Sequence, residues 1–330
     1  MSRNQIRSLL KPIILQVAPR VYYRRLVRQG IEEQNFNTRE IIPVISIKYD
    51  SFGKYPTMYE RPPSFYEKKK RGMHFDVDGI PLVLYKGDPI YHPIFLIQYG
   101  LSEYGFYVST LNKNHLFAAK KISDWLLNNQ DKTNGLWYYP FDYLHEMTNF
   151  LIKTPWSSAM AQGQAISLLT RIYKEFEEDK YLNAAIKATS MLDIPVSSGG
   201  LSAKLWDHTV FEEYPTNPNS FTLNGFMFCA LGLYDLSTVT DHHEVQNLWR
   251  IAKDTLQFII PLYDGDIMSS YCLSHITMGN IDRHWANQYH PLHIILLQCF
   301  ESIMPNQTFK YYIKRWAHFM GLEIVDASSI

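Results

Sequence analysis

LNAAIKATSMLDIPVSSGGLSAKLWDHTVFEEYPTNPNSFTLNGFMFCALGLYDL (Leu182–Leu236) carries the period that decides the fold. It opens on an amphipathic helix, LNAAIKATSMLDI, crosses a Gly-marked extended piece, GGLSAKLWD, and ends in a second helix, SFTLNGFMFCALGLYDL. The same order stands on either side. Upstream, FAAKKISDWLLNNQ is followed by NGLWYYPFD and SSAMAQGQAISLLTRIY; downstream, LWRIAKDTLQFII is followed by DGDIMSSYC and YHPLHIILLQCFESI. The first helices align on Ala119, Ala185 and Ala252, so the unit recurs at roughly 65-residue intervals. A single helix–hairpin–helix unit cannot bury its apolar face alone, so neighbours must stack side by side. The fold expected is mainly α, an (α/α) toroid or incomplete α/α-barrel of repeated units over 93–330. The third unit is followed closely by the end of the sequence, so the array either closes on a helix at Pro93–Tyr107 or stays incomplete.

Outward from this array the period changes. Residues 37–92 read as a small N-terminal β-rich module, with the apolar run Ile41–Ile47, clustered Pro56, Pro62 and Pro63, and a hairpin signal at Asp78-Gly79 in HFDVDGIPLVLY. The basic run Lys68–Arg71 reads as a solvated turn before it reads as a polyanion contact. Residues 1–36 read as a helical segment. It is basic, and Pro12 and Pro19 interrupt it, which favours a packed helix over an amphipathic segment resting peripherally on an anionic membrane.

Composition narrows the function classes. Net charge is zero, so no global field calls for nucleic acid. No run of 18 apolar residues and no signal-type cleavage site is found, and Cys229, Cys272 and Cys299 are widely spaced without a CxxC pattern. These features lead to the expectation of a cytoplasmic chain with free thiols and without a zinc site. Aromatic residues make up 15%, with 23 Tyr and 18 Phe; most fill the core, and some suit a sugar-binding cleft because ring faces pack on pyranose C–H faces.

In a stacked array the hairpins and second-helix starts share one rim, where a ligand cleft is expected. Gln162, Asn224 and His293 fall at comparable places there, either lining the cleft or tying helices together. EEYPTNPNSFTLNGF places Glu212, Glu213 and Tyr214 just before a helix start; for Glu212 a favourable helix-dipole position suffices. Ser269–Ile294 carries Tyr271, His275, Arg283, His284, Tyr289, His290 and His293. His290 and His293 are spaced i,i+3 without a nearby acidic ligand, so a metal is not expected. No P-loop, GxGxxG or GxSxG occurs, which leaves nucleotide cofactors and serine-hydrolase chemistry without support. Glu, Tyr and His on such a rim suit several carbohydrate-active chemistries, and the residues alone stop there.

WSSAMAQGQAISLLTRIY (Trp156–Tyr173), EEYPTNPNSFTLNGFMF (Glu212–Phe228), GLYDL (Gly232–Leu236), PLYDGD (Pro261–Asp266) and YHPIFLIQYGLSEY (Tyr91–Tyr104) resemble the C-terminal catalytic domain of the D-glucuronyl C5-epimerase family, over about residues 90–320. The resemblance implies conversion of D-glucuronate to L-iduronate residues within a polysaccharide, without cofactor or metal, by a homodimer. It implies Glu213, Tyr271 and Tyr289 as catalytic residues. Tyr214, His275, Arg283, His290, His293, Asn224 and Gln162 are the expected substrate-binding set. Two positions depart from the family pattern: its Asp after the first Tyr is Cys272, and its Arg three residues after that Tyr is Ser274. The substrate carboxylate is then left to Arg283, His275 or His290. A uronate lyase, which shares the first proton abstraction, and a non-catalytic carbohydrate-binding scaffold are the alternatives.

Overall fold

A computed structural model describes residues 42–56, 74–279 and 281–325. The expected N-terminal helix and the Lys68–Arg71 run lie outside the described residues.

The structure is mainly helical. Among the described residues the helices pack in four pairs, the last helix lying beyond the three units that the repeat marks: α1 (Pro93–Thr110) with α2 (Lys113–Asn129), α3 (Ala159–Phe176) with α4 (Asp179–Lys187), α5 (Leu223–Ser237) with α6 (His243–Ile259), and, after a short α7 (Ser274–Met278), α8 (His290–Ile303) with α9 (Gln307–Phe319). Helix starts follow local chemistry. Asn112 and Asn306 accept from the backbone N–H two residues on (3.0 and 2.7 Å), Ser158 caps α3, and Pro93 and Pro291 occupy first-turn positions where no N–H is missed.

The two helices of a pair differ in burial. α1, α3, α5 and α8 are apolar over most of their surface and lie side by side in that order. α6 and α9 carry a single apolar stripe, such as Val245, Leu248, Ala252, Leu256 and Ile259, and turn a polar face outward. Each fully buried Leu, Ile or Phe in the inner row adds about 1.5–3 kcal/mol over an exposed one. The α3–α5 crossing is closest. A Cβ on Gly163 would stand 2.8 Å from the Phe228 carbonyl oxygen, and one on Gly232 would stand 2.6 Å from the Gly163 carbonyl carbon. Only hydrogen fits where two backbones approach so nearly.

Between helices of successive pairs the chain forms short hairpins: β5 (Tyr143–His145) with β6 (Phe150–Ile152), and β7 (Ser202–Leu205) with β8 (His208–Phe211). In the third unit a bridge between Ser270 and Trp285 takes that place. Strands within 37–92 divide between two sheets. β2 (His74–Phe75), β3 (Pro81–Tyr85) and β4 (Asp88–Ile90) make an antiparallel meander. Its first turn is at Asp78-Gly79, with Gly79 at φ +77° and Asp76 Oδ1 accepting from Asp78 and Ile80 N–H. β1 (Ile42–Ile45) instead pairs in parallel with β9 (Leu322–Val325).

The segment after β1 is fastened by a buried ion pair. Arg171 on α3 donates to Asp235 Oδ2 on α5 (2.7 Å), Tyr49 Oη donates to both Asp235 carboxylate oxygens (2.9 Å each), and Arg171 lies over the Tyr55 ring. Arg171 and Asp235 are fully buried. Cys229, Cys272 and Cys299 are buried and form no disulfide among the described residues. Among the described residues no helix is long and apolar enough to cross a membrane.

Candidate active site

β8 runs directly into Glu212 and Glu213, and the two carboxylates part company there because successive residues of an extended chain face opposite sides. Glu212 turns into the protein. Its carboxylate accepts from the Phe221 N–H (3.1 Å) and the Ser220 hydroxyl (3.3 Å), holding the turn that starts α5, where Phe221 takes φ +52°. Burial pushes its carboxyl up to about 8.

Glu213 turns to the start of α5, where Asn224 Nδ2 donates to its Oε2 (3.2 Å). The contact needs Gly225: a Cβ there would lie 2.9 Å from Glu213 Cδ and nearer still to its Cβ and Oε2. Burial pushes Glu213 up to about 7, with hydrogen bonding from Tyr214 and Asn224 pulling the other way. A carboxyl of that affinity exchanges protons near neutral pH in either direction.

Three further elements close on this carboxylate. Tyr271 arrives on the extended piece after Asp264, its N–H bonded to the His284 carbonyl (2.7 Å) and its carbonyl accepting from Leu223 N–H at the α5 start (3.1 Å). Tyr289, just before α8, packs on it with ring centroids 4.9 Å apart. Tyr214 stacks on Tyr143 of β5 (5.3 Å) and lies 4.8 Å from the His145 ring. Burial first, and the Glu213 charge second, lift both Tyr214 and Tyr271 well above the ordinary phenol value, so each is a proton donor at neutral pH. Trp156 and Tyr139 stack at 4.0 Å beside Tyr143, extending an aromatic wall from the site.

Glu213, Tyr214, Asn224, Tyr271 and Tyr289 thus converge, although they come from parts of the chain up to 76 residues apart. Arg283 and His275 stand on the neighbouring bend. The Arg283 guanidinium donates to the Asp264 carbonyl and the Ser270 hydroxyl and covers the Trp285 ring. His275 is partly buried with Nδ1 lacking a hydrogen-bond partner. Burial lowers its proton affinity, and then so do Arg283 and His284. Ser274 is fully buried and neutral, with Oγ 3.1 Å from Cys272 Sγ.

Three residues expected at the cleft are located behind it. Gln162 is fully buried, accepting from Trp137 N–H and donating to the Gly135 and Ala188 carbonyls. His290 Nδ1 accepts from the Ser269 N–H (3.0 Å), which assigns the ring hydrogen to Nε2, where it donates to the Trp316 carbonyl (3.1 Å). His293 bonds the same Ser269 hydroxyl beside Trp316. Burial holds His290 down to about 4 and His293 well below its usual range, so both are neutral struts that place the Tyr271 segment. Among the described residues no group of three His, Cys, Asp or Glu is placed to hold a metal ion.

Sequence reading passed over Tyr143, His145 and Met147, the last packed against the cluster of Tyr271, Cys272 and Ala286. The signal was present in the repeat. Tyr271 lies on the extended piece of the third unit, and Tyr143, His145 and Met147 follow the corresponding piece of the first.

A family model described as the D-glucuronyl C5-epimerase C-terminus matches residues 130–318. The D-glucuronyl C5-epimerase of Caenorhabditis elegans is 33% identical over 221 residues, which is 63% of this chain and 36% of that protein. An uncharacterized protein of Methanocaldococcus jannaschii is 22% identical over 210 residues, 59% of this chain and 64% of its own. The chain therefore spans less than two thirds of either relative. Among solved structures, a family 76 glycoside hydrolase from a bovine Bacteroides thetaiotaomicron strain has a TM-score of 0.46 at 14% identity, covering 66% of this chain and 45% of that one. An unsaturated glucuronyl hydrolase specific for heparin has a TM-score of 0.40 at 16% identity, covering 63% and 59%. The match across residues 130–318 takes in more than half of the sequence and every element that meets at Glu213, and on that ground the chain belongs to the D-glucuronyl C5-epimerase C-terminal family.

Proposed function

We propose that the chain is a hexuronate C5-epimerase that converts D-glucuronate to L-iduronate residues within a polysaccharide, its paired helices forming an incomplete (α/α) toroid with the site on the hairpin rim. The observation that carries this reading is a buried carboxyl with its affinity near 7, Glu213, gathered with the phenols of Tyr214, Tyr271 and Tyr289.

The C5–H bond of a hexuronate is acidic because the adjacent carboxylate takes up the electron pair as an enolate. Ionised Glu213 accepts the C5 proton. Tyr271, protonated at neutral pH, returns one to C5 from the opposite face, and the electron pair goes back from the enolate into the new C–H bond. The phenolate left on Tyr271 accepts the Tyr214 hydroxyl proton as a hydrogen bond and is recharged from Glu213 through solvent. Tyr289, against the Tyr271 ring, assists as an acid or donor. Tyr143 and Tyr214, half-buried and stacked on each other beside the buried Trp156, offer ring surface to neighbouring sugars.

Incubation with heparosan in heavy water tests the reading. Deuterium at C5 together with iduronate formation is expected, and it disappears in Glu213→Gln. No exchange into heparosan or another glucuronan refutes the proposal. Ultraviolet absorbance from an unsaturated uronate product assigns the site to β-elimination instead. The reading also carries a homodimer, which sedimentation of the full chain tests.

A further inference from the structure

We propose that His145 binds the hexuronate carboxylate through Nε2, supplying the polar contact that the neutral Ser274 does not. The assignment rests on the epimerase reading of the site and deepens it.

His145 closes β5, and its ring lies against Tyr214 (4.8 Å between centroids) and Tyr143 (6.4 Å), the two phenols beside Glu213. Nδ1 is engaged with Thr148 Oγ1 at 2.7 Å. Nε2 is buried with no hydrogen-bond partner. A polar atom of that kind is rare inside a protein, and this one stands at the wall of the candidate site. The assignment takes the Thr148 hydroxyl as donor to Nδ1, the tautomer in which Nε2 carries the ring hydrogen and is a donor. A carboxylate is the acceptor that suits it, and hydrogen bonds to an ionised partner are the strong ones.

Of the other candidates for this task, Arg283 already holds the Asp264 carbonyl and the Ser270 hydroxyl through Nη1, His290 is bonded at both ring nitrogens, and His275 stands on the neighbouring bend with Nδ1 open. Met147, two residues further along the same hairpin, packs against the cluster of Tyr271, Cys272 and Ala286. Burial, then the nearby His284, lowers His145 to about 4, so the ring meets the substrate neutral and with a single N–H to offer.

Binding of heparosan oligosaccharides and of the same oligosaccharides with carboxyl groups reduced to alcohols tests the assignment on the full chain. The wild type is expected to prefer the carboxylated form. His145→Phe keeps the ring packing on Tyr214 but removes the donor, and the preference should shrink by about 10- to 100-fold with binding of the reduced form unchanged. His145→Gln, with an amide N–H near the Nε2 position, should restore part of it, and the loss in exchange rate should fall on KM more than on kcat. Where His145→Phe does not fold, His145→Asn serves, since its shorter amide reaches Thr148 and not the substrate. Undiminished preference in the folded variant overturns the role of His145. A wild type that binds both forms equally likewise overturns the carboxylate assignment, whereas absence of C5 exchange with heparosan overturns the epimerase reading, so the two failures are distinguishable.

Discussion

Gly225→Ala isolates the position of Glu213 from everything else in the fold. A methyl at this position would stand 2.9 Å from Glu213 Cδ and closer to its Cβ and Oε2. Carbon atoms settle at about 3.5–4.0 Å, so the carboxylate must retreat by roughly 1 Å, away from Asn224. Misplacement of a reacting group by that distance costs on the order of 100-fold in rate. Stability changes far less: alanine in place of glycine inside a helix contributes about 1 kcal/mol, which partly offsets the about 1–3 kcal/mol lost by crowding a buried site. The variant should therefore melt within a few degrees of the parent while C5 deuterium exchange into heparosan falls about 100-fold. Exchange within about threefold of the parent, in a protein that folds normally, refutes the placement of Glu213 as the group whose position sets the rate.

Glu213 ionises near 7, so exchange should rise with pH through that value, and a profile flat from pH 5 to 9 contradicts its role as the base. The same group acts against stability in one window: its folded affinity is raised from 4.5 to about 7, so its stabilising contribution is complete below 4.5 and is lost as pH rises to 7. Melting temperatures of Glu213→Gln should consequently fall less than those of the parent across that window. Gly163→Ala places a methyl against the Phe228 carbonyl oxygen and Cys229 backbone, which cannot yield as a side chain does; a loss of about 3 kcal/mol or more by denaturant unfolding is expected. Arg171→Met strands the Asp235 carboxylate in the interior and should cost about 3–5 kcal/mol, while the double change Arg171→Met, Asp235→Leu should recover most of it, as read by denaturant midpoints.

The helical pairs were legible because each is a local pattern. An apolar stripe, a cap such as Asn112 and a Gly-marked extended piece lie within one unit of sequence, and the unit recurs. Glu213, Tyr271 and Tyr289 were singled out on two grounds, their place on that rim and the wording of EEYPT and its neighbours, and they do meet with Tyr214 and Asn224. The roles of Gln162 and His290 were not legible. A polar residue at a helix start satisfies a backbone group behind it or a ligand in front of it, and nothing in its spacing tells which; the accepted bonds at Trp137, Ser269 and Trp316 decide it.

The sequence by itself determined the mainly helical repeat and the chemical identities available at its rim, since periodicity and residue type are properties of the chain. Tertiary structure alone decided which of those residues share a cleft. It pairs β1 with β9 across nearly the whole chain, and it turns Glu212 to the Phe221 amide and Glu213 to Asn224. It also leaves one nitrogen of His145 without a partner beside Tyr214. Contacts of such long sequence separation depend on how helices cross, and the crossing is set by backbone approach at Gly163 and Gly232 rather than by any pattern readable along the chain.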